Sequence, residues 1–118
     1  MVDIDSTCAA SVIQRLPERV SDREWKLVKA LEWHYRLVDR LMASPPAGTT
    51  VAAWIGLHRE TLRSAKIIKE MVTAAGDPWT QGIPSLTHLV AQLKENIDCL
   101  KRFSSRYGNR RANPQTAR

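Results

Sequence analysis

Long apolar runs are absent from this chain: none approaches the roughly 18 residues a helix needs to cross a bilayer, so no membrane span is expected. Asp3 and Asp5 stand where a secretory leader would carry positive charge, which makes a cytoplasmic location the expectation. Cysteine is scarce. Cys8 and Cys99 lie far apart with no C-x-x-C or Cys/His cluster around them, which gives no support to a disulfide framework or a zinc site; both are expected as reduced thiols. The catalytic signatures are missing too, with no H-E-x-x-H, no phosphate-cradling glycine loop and no Gly-x-Ser-x-Gly elbow. A di-iron bundle needs Glu-x-x-His pairs, but the residues three before His34, His58 and His88 are Leu31, Ile55 and Ser85. On these grounds no enzyme activity, no metal and no cofactor are expected.

Acidic residues also run out, since none follows Asp98. The formal charge of +6 therefore has an address: residues 1–100 are balanced, and the excess is Lys101, Arg102, Arg106, Arg110, Arg111 and Arg118. A basic end on a neutral body suits a polyanion, because each phosphate neutralised releases condensed counterions whatever the base sequence. The remaining composition, 43% hydrophobic and 25% charged over 118 residues, is that of one globular domain.

Helical periods separated by Pro and Gly make up the rest of the pattern, and all-α is the expected class. A short first helix is expected over Thr7 to Leu16, ending before Pro17. Ser21-Asp22-Arg23-Glu24 has the S-x-x-E form of a capping box, with Val20 and Trp25 placed for a hydrophobic staple. From there Trp25, Val28, Leu31, Tyr35, Val38 and Leu41/Met42 form an apolar stripe that Ser44-Pro45-Pro46 ends. A second long helix starts at Thr49 or Thr50 and stops before Gly76; its stripe is Val51, Trp54/Ile55, His58, Thr61/Leu62, Ala65, Ile68 and Met71/Val72. Pro84 opens the third, whose seam reads Leu86, Val90, Leu93, Ile97, Leu100, Ser104 and Tyr107, widened by Leu89 and Phe103. The expected architecture is an elongated bundle of three long helices, with residues 1–108 as a single domain and 109–118 as a basic flexible tail.

Within the second helix, Ala52, Gly56, Arg59-Glu60-Thr61 and Leu62 resemble the helix-turn-helix of bacterial transcription regulators. That resemblance implies a turn at Gly56 and a recognition helix presenting His58, Arg59, Glu60 and Arg63 to the major groove. The apolar phase argues otherwise. It runs from Val51 to Val72 without a slip at Gly56, which predicts one continuous helix. A broader layout, with Trp25, Gly76, Pro84, Gly108, Pro114 and Arg118 as its markers, resembles the small terminase subunit of tailed bacteriophages. It implies an oligomeric DNA-recognition subunit that regulates a separate ATP-driven motor.

Four of the seven aromatics are tryptophans. Trp25 and Trp54 lie on core stripes and are expected to pack inside; Trp33 sits toward an edge, where packing over the bundle is the expectation ahead of a subunit contact, and Trp79 sits in a loop, equally able to cover the bundle or anchor a second subunit. His58 is expected to pair with a hydroxyl or backbone group. DNA is thus the expected partner, contacted by Arg59, Arg63 and Lys66 on the second helix and by Lys101, Arg102, Arg106, Arg110 and Arg111. The protein is expected to be a homo-oligomer through the third helix's seam or the Trp33 edge. The competing class is a helical protein–protein adaptor.

Overall fold

A computed structural model describes residues 21–107, and these form helices joined by short loops: α1 (Asp22–Met42), α2 (Val51–Ala75), a 3-10 turn (Trp79–Gly82) and α3 (Ile83–Tyr107). The all-α class is as expected. The short helix expected at Thr7–Leu16 and the tail at 109–118 lie outside the described residues, as does Val20 of the staple. Helices of 21, 25 and 25 residues are ~32 to 38 Å long at 1.5 Å per residue.

Each helix starts where the local chemistry allows. Ser21 Oγ accepts the Glu24 N–H while the Glu24 carboxylate accepts the Ser21 N–H at 3.1 Å, completing the capping box at the head of α1. At the head of α2, Thr50 Oγ1 accepts the Ala53 N–H at 3.1 Å. Gly76 ends α2 with φ +76°, a left-handed backbone that a Cβ disfavours, and its N–H reaches back to the Val72 carbonyl. The short loops make neighbouring helices antiparallel, and α2 is central, packed against both α1 and α3.

Two larger clusters and a smaller one, of Val51, Ile55 and Ile97, fill the interior. Leu37, Val38, Leu41, Trp54, Leu57, Ala65, Leu89 and Leu93 pack around the middle of the bundle. Toward the end where α1 begins and α2 stops, Leu27, Val28, Leu31, Ile68, Val72, Trp79 and Leu86 form the second cluster. The α2 stripe is as expected, with Leu57 added to it. That of α1 needs correction. Its buried row is Leu27, Leu31, His34, Val38 and Leu41, steps of four and three, joined by Val28 and Leu37. Trp25 is 52% exposed, and Tyr35 and Met42 are exposed as well. A histidine on the seam hid this heptad, because His34 reads as polar, and the staple-like position of Trp25 drew the expected face to one side. In α3 the inward positions are Leu86, Leu89, Leu93, Asn96 and Ile97, while Phe103 turns outward.

Gly56 lies inside α2 with no turn. The helix-turn-helix expectation is therefore corrected: a recognition helix would have to cross its predecessor, and here both halves are one rod. An added Cβ at Gly56 meets nothing within 4 Å, and its backbone is not left-handed. Gly56→Ala should then stabilise the protein by up to ~1 kcal/mol, since alanine loses less backbone entropy on entering a helix. Chemical denaturation with an unchanged m-value measures it; a lower midpoint would contradict the continuous helix.

Candidate nucleic-acid interface

The outer ridge of α2 separates two grooves. Arg59, Arg63 and Lys66 are all exposed on that ridge, but they do not serve the same groove. On the α3 side, Arg59 and Leu62 line a depression with Lys94, Ile97, Asp98 and Lys101. About two turns along, Lys66, Lys69, Glu70 and Thr73 face Val90 and Lys94 across a longer stretch of the same interhelical groove. Antiparallel packing therefore sets Arg59 near Lys101 at one level and Lys66 near Lys94 at the next. Levels seven residues apart on a helix are separated by ~10.5 Å. Arg63 belongs to the α1 side, where it lines the other groove with Trp33, Glu60 and Ile67.

Lys101, Arg102 and Arg106 are exposed on the last turns of α3, and Arg102 Nη2 donates to Cys99 Sγ at 3.3 Å. Arg110 and Arg111 lie outside the described residues. The structure thus joins Lys101 to the α2 cations, which the sequence had placed on separate elements. Lys69 and Lys94 were not among the expected residues. Lys94 sits beside Glu95 in a stretch that looks neutral along the chain, and only the pairing of α2 with α3 puts it into a row of cations. A seven-residue step from Lys94 to Lys101 was the available signal.

The acidic groups in this row are Glu70 and Asp98, so the α2/α3 groove is basic without being uniformly so. Its cations are carried on helices whose opposite faces are locked in the core. That fixes their spacing before any ligand arrives, which limits the ordering cost of binding.

The histidines do not gather. His34 is fully buried, its Nδ1 3.2 Å from Ser64 Oγ, and its Nε2 has no hydrogen-bond partner among the described residues. Burial disfavours its charged form and pushes its pKa down to about 4. His58 is also buried and donates from Nδ1 to the Trp54 carbonyl at 2.8 Å, a backbone group rather than the hydroxyl that was the other expectation; desolvation lowers its pKa although that hydrogen bond pulls the other way. Its ring meets Trp54 edge-on with centroids 5.6 Å apart. His88 is exposed. Among the described residues no three His, Cys, Asp or Glu side chains stand together as metal ligands, and no helix is long and apolar enough to cross a membrane.

No family model, curated protein or solved structure matches this chain.

Proposed function

We propose that the protein is a non-catalytic DNA-binding helical protein that holds the phosphate backbone along the ridge of α2 and its groove with α3. The observation that supports this most is the alignment of Arg59 and Lys101, then Lys66 and Lys94, on one rigid face, with Arg102 and Arg106 exposed on the last turns of the same α3. Binding on this reading is electrostatic and tolerant of sequence, because an uninterrupted α2 lies along the body and does not project a recognition helix into a groove. A narrower form of the proposal follows the terminase-like layout, in which Gly76 ends one helix and Pro84 lies in the first turn of the next. It makes the protein an oligomeric DNA-recognition subunit acting beside a separate motor. A strictly monomeric mass by light scattering, with and without DNA, would remove the narrower form.

The test of the main reading is a salt titration of duplex binding. Lys66→Ala with Lys94→Ala should reduce the slope of log K against log salt by about 2 and weaken binding at 0.1 M salt by roughly 50- to 100-fold, as the loss of two phosphate contacts implies. Arg59→Ala with Arg63→Ala should weaken all duplex sequences alike. A wild-type protein that ignores duplex DNA at 50 mM salt, or a slope unmoved by the lysine pair, overturns the reading.

A further inference from the structure

The groove between α1 and α2 has a character of its own. Its floor and one wall are apolar, made by Ala30, Ile68 and the side chains of Trp33 and Ile67, which are 51% and 48% exposed. Burying large apolar groups is favourable, and here two of them from different helices remain half in water at the same place. The same groove is lined by Glu60, Arg63 and Ser64, an acceptor, a planar donor fork and a hydroxyl whose oxygen also lies 3.2 Å from His34 Nδ1. The opening is about 310 Å³.

The surroundings choose among occupants. Along α1, Lys26 and Arg40 lie seven residues before and after Trp33, on its line of the helix, while Lys29 and Arg36 lie one turn before and after it; all are exposed. A second copy docked two-fold on this face would set those cations against themselves, an arrangement that costs free energy when desolvated. An amphipathic partner helix needs an apolar seam over several turns. Here α1 contributes a single turn, Ala30 to Trp33, and beyond it the exposed positions are largely charged. An occupant with one flat apolar ring, polar edges and an anionic chain running past it fits both the groove and its flanks.

We propose that the α1/α2 groove binds an unpaired nucleobase of a single-stranded nucleic acid, stacked on Trp33 and backed by Ile67. Glu60 and Ser64 meet the base edge, and Arg63 with the cations of α1 takes the adjoining phosphates. This rests on the nucleic-acid reading above but adds a distinct site and a distinct ligand form, since a base inside a duplex has no free face to offer an indole. Stacking on an aromatic side chain is worth ~1 to 3 kcal/mol per base, which corresponds to about 5- to 150-fold in affinity.

The experiment uses the full chain with three probes: a 12-nucleotide oligo-dT, the same oligomer carrying abasic sites throughout and so equal to it in charge, and a 12-base-pair duplex. The wild type should bind oligo-dT about 5- to 150-fold more tightly than the abasic strand and show quenching of indole fluorescence with the former alone. Trp33→Ala should abolish that preference and leave duplex binding within twofold, while Trp33→Phe should keep most of it. Because Trp33 is half exposed, unchanged helical circular dichroism is expected in both variants. The abasic comparison in the wild type judges the site even where a variant misfolds. Equal affinity of the wild type for oligo-dT and the abasic strand overturns the stacking site while duplex binding stands. Equal loss on oligo-dT and duplex in a folded Trp33→Ala overturns it as well. Failure of all three probes to bind overturns the site together with the reading it rests on.

Discussion

Trp79→Ala is expected to destabilise the protein by roughly 3 to 5 kcal/mol, the range for removing a fully buried large aromatic side chain. Trp79 is 1% exposed, and its ring fills the end of the bundle among Leu27, Leu31, Ile68, Val72 and Leu86. Its Nε1 donates to Glu24 Oε2 at 2.6 Å, so the loop after α2 is tied to the residue that completes the capping box of α1. That hydrogen bond is the foremost cause holding the Glu24 carboxyl below its ordinary pKa, followed by the one from the Ser21 backbone. Trp79→Phe should therefore be less damaging than Trp79→Ala while letting the Glu24 pKa rise toward 4.5. Denaturant midpoints and a carboxyl titration by NMR read the two effects separately. A cost for Trp79→Ala below about 1 kcal/mol would mean that the loop does not close the bundle as described.

Stability should fall by about 3 kcal/mol between pH 7 and pH 4 on account of His34 alone. Its folded-state pKa is lowered from 6.5 to about 4, so within that window the unfolded chain binds a proton that the folded one refuses. The contribution is complete above the unfolded pKa, is lost as pH falls through 6.5 toward 4, and changes no further below that. His58, shifted in the same direction, adds to the loss. Glu24 acts with the same sign only as pH falls below its ordinary 4.5, so the upper part of the window belongs to the histidines. His34→Gln should lower stability at pH 7 and flatten the profile between pH 6.5 and 4.5. A wild-type profile already flat across that interval, or a His34 resonance titrating near 6.5, would refute the assignment of a neutral buried imidazole.

Much of this architecture was legible in the linear chain because its causes are local. A capping box is a property of four consecutive residues, and Ser21 to Glu24 form it in the structure as the spacing implies. Gly76 marks the end of α2 for the equally local reason that its φ is positive, and the unbroken phase from Val51 to Val72 correctly favoured a single rod through Gly56. His58 found the nearest carbonyl on its own helix, four residues back. None of these required knowledge of a neighbour.

What depended on a neighbour was misjudged or invisible. The inward face of α1 is set by the crease in which α1 must lie, which draws in Leu27, His34 and Leu37 and leaves Trp25 half in water. Trp79 became a core residue only because the loop folds back over the bundle end, where an indole of its size fills the space and Glu24 accepts its N–H. Lys94 joined Arg59, Lys66 and Lys101, and Trp33 met Ile67, because antiparallel helices bring together positions tens of residues apart. The sequence by itself determined the all-helical class, the helix ends and the surplus of positive charge, since propensity, capping and composition act within a turn or along the chain. Only the tertiary structure decided which side chains share a groove, because that depends on the rotation of each helix about its axis, chosen by how the three apolar faces pack together.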